Sequence, residues 1–113
     1  MTDIQAHVRF LPQSAQKVRA VIDVVRGKSA NEALEILKFV NKRAAGPVYK
    51  LVASAVANAE ENFGVSRDDL FVAKITADEA PTRKWRRFGA RGRFKPLLRR
   101  SSHVTVILRE RGA

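Results

Sequence analysis

The stretch RKWRRFGARGRFKPLLRR, residues 83–100, holds nine Lys or Arg and no acidic residue, with Trp85, Phe88 and Phe94 set among the cations. Its flanks decide the fold. FVAKITADEA (71–80) before it and HVTVILRER (103–111) after it alternate apolar and polar residues, the period of strands with one buried face. Two such segments joined through a Gly-containing centre predict a hairpin with Gly89-Ala90-Arg91-Gly92 at its tip. At ~3.3 Å per residue, about ten residues beyond the body carry that tip about 30 Å away. An arm so poor in aliphatic residues makes no core of its own, and an isolated two-stranded ribbon is marginal in water, so a partner is needed to make it rigid.

Charge separates this arm from the rest of the chain. Residues 1–80 carry eleven Lys or Arg against ten Asp or Glu, whereas residues 81–113 carry eleven against one. Nearly the whole net charge of +11 is therefore local, which points to a polyanion as the partner. Arg and Lys neutralise phosphates, Arg also stacks or bonds in bidentate fashion, and the three aromatics suit exposed bases. Trp85 by itself decides little, since a hairpin tryptophan packs across strands as readily as it stacks on a base.

Working outward, IQAHVRF (4–10) alternates with Ile4, Ala6, Val8 and Phe10 on one face, and Pro12 ends the strand. Ser14 caps a helix expected to run through Val25, with Ala15, Val18, Val21, Ile22 and Val25 on one stripe and Gly27 as the stop. Ser29-Ala30-Asn31-Glu32 has the form of a capping box opening a second helix that buries Ala33, Leu34, Leu37 and Val40. A third helix buries Val48, Leu51, Val52, Ala55, Val56 and Ala59, with Pro47 in its first turn and Gly64 past its end. The expected fold is α+β: three helices packed on a small antiparallel sheet, with a long protruding basic β-hairpin. A chain of 113 residues suits one domain, with a body of about 1–80 and 103–113 and a hairpin extension of about 81–102.

Several function classes are disfavoured. The absence of Cys removes disulfides and thiolate metal sites. No apolar run reaches the roughly 20 residues of a membrane span, and MTDIQAHVRF lacks a secretion-signal pattern, so a cytoplasmic protein without a membrane partner is expected. Pro96, two glycines and dispersed aromatics speak against a membrane-surface helix in the basic stretch. Helix, Gly27, helix suggests a helix-turn-helix reader, but Glu32 and Glu35 open the second helix and the third is largely apolar, leaving no basic recognition face. A DNA-bending architectural protein with a β-ribbon arm is the alternative that stays open. For catalysis, His7 and His103 stand without an HExxH pattern, Asp68-Asp69 reads as turn chemistry, and Asp78 and Glu79 point to opposite faces of a strand. No metal or cofactor is expected.

Taken together, QSAQKVRAVIDVVRGK (13–28), SANEALEILKF (29–39), SAVANAEENFG (54–64) and RGRFKPLLRRSSHVTVIL (91–108), with the spacing from Pro81 through Gly92 to Ser102-His103, resemble the bacterial large-subunit ribosomal protein twenty-two family over almost the full length. The resemblance implies a non-enzymatic constituent of the cytoplasmic ribosome, bound to large-subunit ribosomal RNA and neighbouring ribosomal proteins. Its hairpin would thread the RNA, so that Gly89, Ala90, Arg91, Gly92 and Arg93 face the nascent peptide in the exit tunnel. Arg83, Lys84, Trp85, Arg86, Arg87, Phe88, Lys95, Arg99, Arg100, Ser102 and His103 would hold RNA along the arms and at their base. Lys17, Arg19, Arg26 and Lys28 match basic body positions of the family that would also touch RNA. Gly89 departs from it, standing where a basic residue is usual, and Gln13 and Gln16 replace commonly basic positions.

Overall fold

The computed structural model describes residues 3–81, 83–88 and 94–111, with 83–88 and 94–99 described at the level of the backbone. Helix α1 spans Ala15–Ile22, and Ser14 Oγ accepts from the Lys17 N–H at 3.4 Å as its cap. It ends short of the expected Val25. The N–H groups of Val24 and Val25 reach back only three residues, to the carbonyls of Val21 and Ile22, the tightened spacing of a 3-10 turn. Gly27, at φ +81°, then turns the chain so that its N–H bonds the Val72 carbonyl at 3.1 Å, while Val72 N–H bonds the Lys28 carbonyl at 2.8 Å. The last helical turn is thus replaced by pairing with a strand, and Val25 remains buried.

Helix α2, Ala30–Phe39, starts at Ser29, whose Oγ accepts from Glu32 N–H at 3.3 Å. The return bond of the expected capping box is not formed among the described residues; Ser29 stands opposite Phe71 in an isolated antiparallel bridge held by the Val72 N–H bond to the Lys28 carbonyl. Val40, expected on the buried stripe, caps the helix in an extended conformation and is half-buried. Helix α3, Ala45–Phe63, buries the six residues its periodicity marked together with Ala45. Gly64, in the left-handed region at φ +64°, ends it, and the N–H groups of Gly64 and Val65 both turn back to the Ala59 carbonyl. A 3-10 turn at Arg67–Asp69 follows, capped by Ser66, with Asp68 accepting from the Asn31 amide at 2.7 Å.

Among the described residues there are five strands: β1 (Asp3–Leu11), β2 (Leu70–Glu79), β3 (Arg83–Phe88), β4 (Phe94–Arg99) and β5 (Ser102–Glu110). The body sheet is antiparallel with order β1-β5-β2, so the last strand made is the central one. Its covered face carries the fully buried Ile4, Leu108 and Val72, which pair across all three strands, with Ala6 and Val8 of β1 half-buried beside them. Helix α3 lies against β1 and β5, α1 against β2, and α2 against α3 and β2. Alanines at 45, 55 and 59 permit the close approach of α3 to its neighbours. The fold is α+β.

One residue of the expected core is outside it. Alternation puts Phe10 on the inward face with Ile4, Ala6 and Val8, but the β1–β5 register shifts between Val8 and Leu11. Phe10 takes φ +56° and is 55% exposed, and Leu11 fills the buried position. A bulge of this kind inserts one residue and inverts the alternation beyond it.

Strands β3 and β4 pair with each other in a separate two-stranded ladder, and Gly89, Ala90, Arg91, Gly92 and Arg93 between them lie outside the described residues. The Cα radius of gyration is 17.2 Å with extents of 65 × 25 × 18 Å, against about 13 Å for a compact chain of this length. The molecule is elongated.

Candidate nucleic-acid interface

The arm residues are brought together in register. Arg83 is opposite Arg99, Lys84 opposite Leu98, Trp85 opposite Leu97, Arg86 opposite Pro96, Arg87 opposite Lys95 and Phe88 opposite Phe94. Like charges therefore occupy directly opposed positions at Arg83/Arg99 and Arg87/Lys95. Such pairs destabilise an antiparallel ladder unless counter-charge is supplied from outside it. Pro96 lacks an N–H and fits this ladder because a two-stranded ribbon consists only of edges.

The body cations fall into two kinds. Lys17 on α1, Lys28 after it and Arg100 at the base of the arm have exposed side chains. Arg19 and Arg26 are exposed too, but each is also bonded to the body's own backbone. Arg19 Nε donates to the Ala77 carbonyl at 3.1 Å, and Arg26 Nη2 donates to the Ile75 carbonyl at 2.9 Å. These carbonyls lie on the edge of β2 away from β5, so the two guanidinium groups tie α1 and the turn after it to the strand that leads into the arm. Arg26 Nη1 also meets Asp23 Oδ1 at 2.6 Å, a surface ion pair worth little alone. Replacing Arg26 with Met, which keeps the aliphatic stem, is expected to lower stability by about 1–2 kcal/mol, read as a shift in urea midpoint at constant slope.

At the base of the arm the Ala80 N–H bonds the Ser101 carbonyl at 3.0 Å. Ser102 is fully buried, and its hydroxyl finds no partner among the described residues. His103 is half-buried on the open face of the sheet, where its Nδ1 accepts from the Phe10 N–H at 3.1 Å. The Phe10 ring meets the imidazole edge-on, with centroids 4.7 Å apart and planes at 85°. His7 shares a hydrogen bond of 3.0 Å with the Thr105 hydroxyl on the same face. Phe10 is the residue that sequence reasoning missed, and nothing local marks its bulge except Pro12 shortly after it.

The far end of the sheet carries a different pairing. Arg109 Nε and Nη2 donate to the two Asp3 carboxylate oxygens at 2.6 and 3.2 Å. That hydrogen bond holds the Asp3 carboxyl below the usual carboxylate range, and raises Arg109. With its folded-state value depressed, the pair's contribution is present above the unfolded value and is lost as pH falls through the folded one. Among the described residues no three His, Asp or Glu side chains gather to hold a metal, and no helix is long and apolar enough to cross a membrane.

Comparison with known proteins places this arrangement. The family model for ribosomal protein L22p/L17e matches residues 6–109. The chain is 46% identical over 109 residues to proteins called large ribosomal subunit protein uL22 from Thermoanaerobacter sp. (strain X514) and Thermoanaerobacter pseudethanolicus (strain ATCC 33223 / 39E). In each case the match covers 96% of this chain and 98% of the relative. With its three helices, its β1-β5-β2 sheet and a match spanning both body and arm, the chain belongs to the ribosomal protein L22p/L17e family.

Proposed function

We propose that the chain, as an L22p/L17e family member a structural and non-enzymatic constituent of the large subunit of the cytoplasmic ribosome, binds ribosomal RNA and supports subunit assembly through its arm. The observation that carries this reading is the opposition of like charges along the β3–β4 ladder, within a segment of net charge +10. Such a ribbon is stable where phosphates lie on both sides of it. Arg83, Lys84, Arg86, Arg87, Lys95, Arg99 and Arg100 hold phosphates along the arms, and Trp85 and Phe88 stack on bases. Lys17 and Lys28 add contacts from the body, Arg19 and Arg26 do so with the donors not engaged on β2, and Ser102 and His103 set the base of the arm. Gly89, Ala90, Arg91, Gly92 and Arg93 form the tip that lines the tunnel and meets the nascent peptide. Phosphate contacts supply affinity, and the shape of the folded RNA supplies selectivity.

The protein is expected to cosediment with large subunits after a high-salt wash; recovery in a nucleoid fraction would contradict the reading. A crosslinker at Arg91 should reach tunnel-wall RNA and nascent peptide, and failure to reach peptide would remove the tip from the wall. In the proposed division, a body of about 1–80 and 103–113 stands without the hairpin of about 81–102. Deleting residues 88–94 should then preserve a single cooperative thermal transition, and loss of that transition would make the arm part of the core.

A further inference from the structure

We propose that the hollow between β1 and β5 on the open face of the sheet binds one unpaired RNA base, stacked on Phe10 and hydrogen-bonded to His103. The inference rests on the RNA-binding function above and adds to it an aromatic site on the body. The hollow is about 320 Å³ and is lined by His7, Val8, Arg9, Phe10, His103 and Thr105 with Val104. Phe10 is presented rather than buried. Its backbone stands at φ +56°, a conformation that costs a bulky residue energy and persists only where its surroundings impose it. Here the surroundings are the register shift and the Phe10 N–H bond to His103 Nδ1.

That bond also fixes the imidazole. Because Nδ1 accepts, the neutral ring carries its proton on Nε2, a donor that makes no other hydrogen bond among the described residues. The charges nearby discriminate between the parts of a nucleotide. Asp78 stands opposite His103 in the β2–β5 register, so a phosphate on that side would meet a carboxylate. An exocyclic amine of a base would instead find an acceptor there. Arg9, on the β1 side of the hollow, is the cation for the sugar-phosphate strand. The base therefore points toward β2 and the backbone of the strand runs past β1. His103 follows Arg99 and Arg100 within four residues, so a strand held by the arm is continuous with this site.

The test uses the full chain and large-subunit ribosomal RNA. Phe10→Ala should weaken binding about tenfold or more while leaving the salt slope unchanged, because stacking releases no counterions. Phe10→Tyr should restore affinity to within about twofold of the parent, since the ring is kept. Benzoylphenylalanine at position 10, irradiated in purified subunits, should crosslink to a single RNA position. Phe10→Ala with parental affinity, or a crosslink to a neighbouring protein in place of RNA, would overturn the site while leaving arm binding intact. Absence of salt-dependent RNA binding by the parent chain would overturn the underlying function itself.

Discussion

Replacing Arg83, Lys84, Arg86, Arg87, Lys95, Arg99 and Arg100 with Gln should weaken binding to large-subunit ribosomal RNA by about a thousandfold or more at 0.1 M salt. Each phosphate neutralised contributes roughly 0.7–0.9 to the slope of log affinity against log salt, so removing seven should flatten that slope by about five to six. The thermal transition of the free protein should not fall, because the substitutions remove like-charge oppositions at Arg83/Arg99 and Arg87/Lys95 and touch no core residue. Filter binding over a salt series reads both quantities. An unchanged slope would mean that the arm cations do not lie on phosphates, whatever happened to affinity. The parallel series on duplex DNA separates shape-selective RNA binding from generic polyanion binding, which would give equal affinities and equal slopes.

The largest loss of stability is expected from Leu108→Ala. Leu108 is 0% exposed on the central strand, with Ile4 opposite on β1 and Val72 opposite on β2, both also buried. Truncation leaves a cavity bounded by strands on either side and helices above, elements that cannot all move in to fill it. The cost should be about 2–5 kcal/mol out of a total of roughly 5–15 kcal/mol for a domain of this kind. That corresponds to a drop in Tm on the order of 10 °C or more. The neighbouring Ile107, half-buried on the open face, should tolerate Thr at less than about 1 kcal/mol. Equal losses at 107 and 108 would show that the open face is as tightly packed as the covered one.

The sequence made the helices legible because their burial repeats every three or four residues, and Ser14, Ser29, Gly27 and Gly64 mark their ends. Strand alternation likewise made the covered face of β2 and β5 readable. What it did not contain were bonds between residues far apart. The end of α1 is set by Gly27 meeting Val72, and the second half of the capping box is not formed among the described residues. Arg19 and Arg26 read as four-square cations of the body because nothing local shows that the carbonyls of Ala77 and Ile75 lie within their reach. Phe10 obeys the alternation in sequence and breaks it in space, since a bulge is set by the partner strand. The candidate RNA surface was legible as charge with aromatics set in it, and His103 came with the family resemblance; the exposure of Phe10 beside His103 was not legible.

The position of β5 has a mechanical consequence. β2 leads into the arm and β5 leads out of it, and the two are joined where they leave the body by the bond from Ala80 to Ser101. A pull on the arm drags both strands the same way and leaves their mutual register unstressed. The load passes to the ladder between β1 and β5, from Asp3/Arg109 to Leu11/Ser102, and to the bonds that hold β2 from Arg19, Arg26 and the Gly27 and Lys28 backbone. Those contacts are sheared along the strand direction and share the force. The N-terminal strand on one side and the α1 segment on the other are therefore the two latches that resist withdrawal of the arm.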